Sequence, residues 1–464
     1  FLSHRLLSTV GLGGFGIRFT VQYNLFAGSI VGLGGPEQLE QLDEMQANGE
    51  LGCFLLTEMQ AGVLSGLIVE TTANWCPKSK EFILHTPSDK AAKNWISQGY
   101  TAELGVVIAD LTVGGVSHGP HPFLMRLRES RGGKLLPGIR VQDMGIKTVA
   151  NDLDNARVWF DEVRLPKTSL LNKFADVVDD KYVQTTDERM RIEVIGQRLL
   201  TGRMAIAEAA LLSARVLHMK TEEYANAKVC NGLDGEVPLS SMPQLRAVFK
   251  DSYKAIDEAI SFTAAVEGRL NTCLRNETIP DADLVEAISV CKIKAIDTAI
   301  ERVHALRKEV GSYALMRDTG FELVDMFLCC KFAEGDSRIL QMKMARDRLK
   351  VVQKQGMPGA LAALFTGDTA EAVMALKLAM KLAPAGRDLK KMAALFDEHW
   401  RDIYALADVI ADRHQRLSEQ SEFMEPIVER FMPSATSFDE QWKENLAQAA
   451  EDREYDADVD KVVA

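Results

Sequence analysis

The apolar residues of this chain change their spacing along its length, and that switch constrains the fold more than any single motif. From about residue 51 they gather in short β-rich runs: Leu51 to Leu56, Gly66 to Ala73, Glu81 to Thr86, Leu104 to Leu111, Pro122 to Arg128, Leu135 to Val141 and Arg157 to Arg164. Gly, Pro and Asn turns separate them, and this pattern describes an all-β domain of roughly a hundred residues. After Pro166 the strands are expected to stop and the period becomes helical, over Arg189 to Asn226, Met242 to Cys273, Asp281 to Val310 and Val324 to Lys350. Met242-Pro243 and Thr278-Ile279-Pro280-Asp281 are sensible helix entries. Residues 351–464 read as helical again, in Ala360 to Phe365, Ala370 to Leu382, Leu389 to Leu417 and Phe438 to Ala450, before a solvated acidic tail from Glu451 to Asp456. The class is α+β, mostly α, with no internal repeat.

Composition narrows the function classes. With 464 residues, 47% apolar and 26% charged, the chain has the makeup of an ordinary globular protein of several domains. A formal charge of -12 argues against nucleic acid or an anionic membrane as the main partner, so any phosphate site must be local. The 7 cysteines are scattered and lack CxxC spacing, which argues against a disulfide framework or a zinc site and favours a reducing or organellar compartment. No apolar run approaches the ~20 residues of a membrane span. The first residue is Phe1 rather than Met, so the start is processed or incomplete, and Val462-Val463-Ala464 is not a Ser-Lys-Leu type address. His118-Gly119-Pro120-His121 offers two metal-ligating side chains without a third nearby, and a loop is the expected setting.

Residues 1–50 read as helix, turn and helix. Gly11-Leu12-Gly13-Gly14-Phe15-Gly16 matches a dinucleotide fingerprint, but no strand precedes it and the nearest acid downstream is Glu37. A close contact between helices is the expected role of these glycines. Gln38 to Ala47 reads as a surface helix ended by Asn48-Gly49.

The stretch Cys329 to Gln341 carries the clearest candidate for chemistry. Asp336 or Ser337 can cap the amphipathic run from Arg338 to Lys350, and Gly335 lets the backbone turn sharply before the cap. Glu334 is aimed by that hinge. Walled in by Phe332 and Met326-Phe327-Leu328, its carboxylate is expected to lose hydration and rise in pKa, as suits a general base near neutrality. A solvated glutamate ahead of a cap fits the same residues.

What favours the functional reading lies upstream. Gly52-Cys53-Phe54-Leu55-Leu56-Thr57-Glu58 followed by Thr71-Thr72-Ala73 resembles a signature of the acyl-CoA oxidases, cousins of the acyl-CoA dehydrogenases. Lys93-Asn94-Trp95-Ile96-Ser97 is similar to the family's flavin segment. Leu136-Pro137-Gly138-Ile139, Asp143-Met144-Gly145-Ile146-Lys147 and Phe160 to Lys167 resemble further family motifs, and Phe332-Ala333-Glu334-Gly335 resembles the segment that bears the base. The resemblance runs in order over about residues 10 to 350. It implies an acyl-CoA dehydrogenase-like fold divided into a partial N-terminal helical domain (1–50), a central β-domain (51–166), a helical bundle with the catalytic glutamate (167–350) and an extra C-terminal helical domain (351–464).

The resemblance also implies FAD as cofactor, an acyl-CoA thioester as substrate and Glu334 as the base that takes the α-proton while the β-hydrogen leaves as hydride. Thr57 and Ser97 would hydrogen-bond the flavin ring and Trp95 would lie against it, with Lys228, Gly311 and Gly335 completing the cofactor site. Ordinary roles stay open, Thr57 and Ser97 as strand hydroxyls and Trp95 as core. The helical section after residue 350 favours an oxidase, with O2 as acceptor, over a dehydrogenase that passes electrons to a flavoprotein. By resemblance the setting is the peroxisome, with mitochondrion or plastid as alternatives, and the assembly a homo-oligomer or a subunit of a larger complex. Faces such as Met204-Ala205-Ile206-Ala207 are compatible with such contacts.

Departures from the family pattern support a second reading. Val63 stands where the family has a hydroxyl for the FAD pyrophosphate, Lys228 where it has an arginine, and Asn231 where it has an aromatic. Gly311-Ser312-Tyr313-Ala314 replaces a Gly-Gly-x-Gly segment, and the family's early helices are largely missing. These changes fit a family member retained as a structural or assembly subunit.

Overall fold

The structure, a computed structural model, describes residues 1–10, 13–62, 68–184, 188–233, 235–276, 278–366 and 369–419. Gly11, Leu12, Val63, the predicted helix from Phe438 to Ala450 and the acidic tail lie outside the described residues.

Helices open the chain: α1 (Leu2–Val10), α2 (Gly14–Phe19), a π-helical stretch Thr20–Ala27, α3 (Gly28–Leu33) and α4 (Pro36–Ala47). The strands follow as β1 (Gly52–Leu55), β2 (Thr72–Cys76), β3 (Glu81–His85), β4 (Lys93–Ser97), β5 (Leu104–Val113), β6 (Val116–Arg126), β7 (Ile139–Asp143), β8 (Asn155–Phe160) and β9 (Val163–Pro166). One sheet has the order β1-β5-β2-β3-β9, with β6 on the far edge of β5, and a smaller one the order β4-β8-β7. Strand β5 is long enough to pair with β1 through Leu104 to Val107 and with β2 through Asp110 to Thr112, both in parallel. Its alternate residues serve two cores, as the period of a strand requires. Leu104, Val106 and Ile108 pack with Phe26, Ile30, Leu33, Leu42 and Met45 of the opening helices, while Val107, Ala109, Leu111 and Val113 face the interior of the β-domain. The ring of Phe26 lies so close that a Cβ on Gly52 would come within 2.2 Å of it. Helix α4 is thus surface-facing on one side only.

Three expectations are corrected here. Strands continue past Pro166, as the hairpin β10 (Ala175–Val178) and β11 (Lys181–Gln184), whose short alternating residues gave too weak a period to stand out. His118 and His121 sit in strand β6 rather than a loop, with the His118 ring stacked on Tyr182 at 3.9 Å. Gly14 packs against the β7–β8 loop rather than a second helix: its N–H donates to Asp152, and a Cβ there would lie 2.7 Å from Leu153 Cβ.

The bundle consists of α5 (Glu188–Ala227), α6 (Pro243–Arg275) and α7 (Ala282–Glu309), with a hairpin of β12 (Val229–Gly232) and β13 (Gly235–Pro238) after α5. Asp281 caps α7 by accepting the Leu284 N–H at 2.8 Å. Helix α8 (Asp325–Phe332) leads through a turn to α9 (Ser337–Thr366), followed by α10 (Thr369–Leu382), α11 (Leu389–Glu398) and α12 (Trp400–Glu419). Helix α9 runs through the boundary predicted at residue 350. Leu340, Leu378, Ile403 and Ile410 share one core with Leu270, Leu284 and Ile288 of the bundle. The join is reinforced by ion pairs from Glu286 to Arg348 (3.0 Å) and Arg413 (2.8 Å), which also meet Glu371 at 2.8 and 2.9 Å. Among the described residues no helix is long and apolar enough to cross a membrane, and no cluster of metal-ligating side chains occurs.

Candidate active site

The turn between α8 and α9 has unusual backbone geometry. Glu334 has φ +56° and Gly335 φ +93°. Glycine accepts the left-handed region freely, but a glutamate there costs on the order of 1 kcal/mol and persists only where its surroundings fix it. Two cations do so. Arg203 of α5 donates from Nε to the Glu334 carbonyl at 3.0 Å. Lys292 of α7 donates from Nζ to the Lys331 carbonyl (2.6 Å), the Gly335 carbonyl (2.8 Å) and Ser337 Oγ (3.2 Å). Asp336 then caps α9, its Oδ1 accepting the Arg338 N–H at 2.7 Å. Of the two caps left open by the sequence, Asp336 is the one used.

The carboxylate of Glu334 turns back against α5, where Gly202 makes room for it. A Cβ at that position would lie 2.4 Å from the carboxyl carbon. Oε2 is sealed from solvent and has no hydrogen-bond partner. Burial pushes the carboxyl up to about 7, while the charges of Arg203 and Lys292 pull in the opposite direction. The predicted wall is corrected: Phe332 is 61% exposed and Leu328 is also exposed, while Met326 and Phe327 are buried in the bundle core. The desolvation comes from α5 and α7, far away in sequence.

On the β-domain side, Thr57 follows β1 and is exposed, its carbonyl accepting the Asn94 N–H at 2.8 Å. Its neighbour Glu58 is fully buried and pairs at 2.8 Å with the equally buried Lys93. Lys93 Nζ also donates to the Ile108 carbonyl at 2.7 Å, and Glu58 accepts the Glu70 and Thr71 N–H groups at 2.7 and 3.0 Å. Burial alone would raise Glu58, but Lys93 and these amides outweigh it and hold the carboxyl below its usual range. The pair therefore locks the Thr57 segment to the start of β4. Between Lys93 and Ile96 the register of β4 on β8 shifts, and Trp95 there has φ +58°. This bulge swings the indole out of the sheet, 57% exposed, so Trp95 is not a core residue. Ser97 ends β4, its Oγ accepting the Asn155 side-chain amide at 3.2 Å.

The π-helical stretch ties the two sides together. Thr201, beside Gly202, donates to Asn24 at 2.6 Å. Gln22 accepts the Gly52 N–H at 2.8 Å and the Gln98 side-chain amide at 3.3 Å, one residue beyond Ser97. A continuous path thus runs from the Glu334 carboxylate through α5 and the π-turn to the end of β4. Such π-turns are frequent at functional sites.

Lys228 and Gly311 form a separate group. Lys228 is exposed just beyond the end of α5, and Gly311 (φ +68°) opens the turn after α7 with open space around its Cβ position. Tyr224 and Tyr313 stack at 3.7 Å and 10°, joining the two segments. Roughly 39 Å of helix separates Lys228 from Gly202 at about 1.5 Å per residue. One chain does not bring Lys228 and Gly311 to Glu334. Arg203, Lys292 and Gly202 were missed by the sequence reading. Only the short Gly202-Arg203 pair within an apolar helical stretch could have drawn notice.

The helices, the two-sheet β-domain, the long bundle and the added C-terminal helices define the acyl-CoA dehydrogenase-like α+β fold. No protein-family model matches the chain. Arabidopsis thaliana acyl-CoA oxidase 1 superposes with a TM-score of 0.72 at 22% identity, over 87% of this chain and 68% of that one. A Caenorhabditis elegans acyl-CoA oxidase-2 bound with FAD, ascaroside-CoA and ATP gives 0.70 at 20% identity, over 89% and 67%. By sequence, the Arabidopsis thaliana peroxisomal acyl-coenzyme A oxidase 3 is 38% identical over 169 residues, 36% of this chain and 25% of that protein. The human peroxisomal acyl-coenzyme A oxidase 3 is 36% identical over 196 residues, covering 41% and 28%. A mouse acyl-coenzyme A oxidase-like protein is 26% identical over 369 residues, covering 77% and 57%. The chain is thus similar to acyl-CoA oxidases in sequence over part of its length and in fold over most of it. It spans from a quarter to a little over half the length of these curated relatives.

Proposed function

We propose that the chain desaturates acyl-CoA thioesters between Cα and Cβ, with FAD as cofactor and O2 as electron acceptor. The observation that carries this reading is the Glu334 carboxylate, whose Oε2 is buried and unpartnered on a turn fixed by two cations. An α-hydrogen beside a thioester is only weakly acidic. Its removal needs a poorly hydrated base that is poised near neutrality, and a carboxyl raised to about 7 meets both demands. Glu334 takes the α-proton on its carboxylate, and Gly202 leaves the carboxyl room beside α5. The base is competent only when ionised, so the rate rises with pH through about 7.

The residues of the β-domain side fit FAD. The Thr57 segment and the Trp95 indole stand exposed beside a rigid buried ion pair, and Ser97 closes the same strand. These three would hold the flavin ring, with Gly335, next to the base, completing the site. Held by these residues, FAD would supply the acceptor for the β-hydride, and its reoxidation by O2 would yield hydrogen peroxide. Lys228 and Gly311 reach a cofactor only across a contact between copies of the chain, which makes a homo-oligomer the assembly we favour. The Arabidopsis and human relatives carry peroxisomal names, and we assign the same compartment.

The test is spectroscopic. The protein incubated with FAD and desalted is expected to retain near-stoichiometric flavin that bleaches under nitrogen with palmitoyl-CoA and releases peroxide when air returns. Glu334→Gln should keep the colour and lose the bleaching. A colourless wild-type protein, unresponsive to acyl-CoA, overturns the reading, and bleaching without peroxide replaces O2 by a protein acceptor.

A further inference from the structure

The base turn contains a buried charge that proton abstraction does not itself require. We propose that Lys292 is a positioning residue that clamps the α8–α9 turn and holds Glu334 in its left-handed conformation. The inference rests on the proposed function for its kinetic consequence, but its structural half stands alone. Lys292 is fully buried, and no carboxylate lies within ion-pair distance of it among the described residues. An ammonium has three N–H donors, and here each has an oxygen: the Lys331 carbonyl, the Gly335 carbonyl and Ser337 Oγ.

Those acceptors are informative. The Lys331 carbonyl belongs to the last turn of α8, whose carbonyls lack helical partners and carry the negative end of the helix dipole. The Gly335 carbonyl follows the base directly, and Ser337 begins α9. One side chain from α7 therefore ties the end of one helix, the residue after Glu334 and the start of the next helix. Arg203 holds the Glu334 carbonyl from α5. The carbonyls of Glu334 and Gly335 are thus pinned by different helices, which leaves the left-handed pair little freedom. A methionine would fill the same space without the cost of burying a charge, so the charge must be stabilised by what it organises.

The charge also acts on its surroundings. Facing Lys292 are Cys330 on α8, Asp336 in the turn, Arg203 on α5 and Glu334 itself. Removing a positive charge destabilises the ionised carboxylate, so the Glu334 titration must move upward when Lys292 is neutralised.

The experiment uses the full chain with Lys292→Met and Lys292→Gln beside wild type. Hydrogen exchange is followed in peptides covering 329–340, together with flavin content and the pH dependence of anaerobic reduction by palmitoyl-CoA. In Lys292→Met the amides around Ala333 and Leu340 should exchange at least ~10-fold faster while the β-domain is unchanged. Flavin content should be retained, the reduction rate should fall about 100-fold, and its pH limb should rise by about one unit. Lys292→Gln keeps a donor, so its exchange should be intermediate while its pH limb moves as far as in Lys292→Met. If Lys292→Met does not fold, Lys292→Gln carries the same readings. Wild-type exchange and an unmoved pH limb in a folded variant overturn the proposal. A wild-type protein that acyl-CoA fails to reduce overturns the proposed function instead, and the exchange rates still decide the clamp.

Discussion

Two lysines are buried in this molecule to the same degree and for different ends. Lys93, in the β-domain, meets Glu58 in an ion pair whose remaining bonds go to backbone of neighbouring segments. Lys292, in the bundle, meets only neutral oxygens. The first cancels its own charge and yields rigidity alone, a fixed frame from which Thr57 and Trp95 project. The second keeps its field, which acts on Glu334. A buried ion pair builds a platform, whereas a buried single charge also tunes what stands next to it.

The largest effect expected from breaking this comparison is on the platform. Lys93→Met leaves Glu58 buried and unpaired and should cost about 3–5 kcal/mol in denaturant unfolding. The double variant Lys93→Met with Glu58→Leu should recover most of that loss. If the double is as unstable as the single, the pair is not the unit of stability.

Glu334→Gln should sharpen the contrast from the other side. The folded carboxyl titrates near 7 against an ordinary 4.5, so its stabilising contribution is present below 4.5 and is lost as pH rises through 7. Glutamine removes that loss. The variant should gain roughly 2–3 kcal/mol above pH 7 and nothing below pH 4.5, read from unfolding curves at several pH values. A stability difference that does not change with pH would mean the carboxyl is not desolvated.

Gly202→Ala pushes a methyl group against that carboxyl and should cost about 1 kcal/mol, since the side chain can yield. Acyl-CoA reduction should suffer far more than stability, and equal losses in both would remove Gly202 from the site. The smallest effect is expected at Trp95. Trp95→Ala should change stability by less than about 0.5 kcal/mol, because the indole is already in solvent, while weakening FAD binding measured by fluorescence titration. Unaltered FAD affinity would detach Trp95 from the cofactor.

Much of the fold was legible because it rests on local rules. Asp281 caps its helix, Asn48-Gly49 ends α4, and strands β1, β3, β5, β7 and β8 begin within a few residues of the runs that predicted them. The hinge at Gly335 was legible for the same reason. What escaped depends on distance along the chain. Nothing near Glu334 announces that Gly202 and Arg203 on one helix and Lys292 on another supply its desolvation and its clamps. The exposed Phe332 shows that neighbours in sequence need not be neighbours of the carboxylate. The separation of Lys228 from Glu334 was equally hidden, because the length of α5 becomes a distance only once the helix is seen to run unbroken from Glu188 to Ala227.

Helix α9 gives the molecule a mechanical property. Its first residue follows the cap beside Glu334, and its 30 residues carry the chain on to the C-terminal helices. The cluster of Glu286, Arg348 and Arg413 ties that helix at Arg348 to α7 and α12. Helix α12 meets the opening turns of α9 directly, through Asp408 to Gln341 and Tyr404 to Arg338, so a displacement of α12 would be felt at the base.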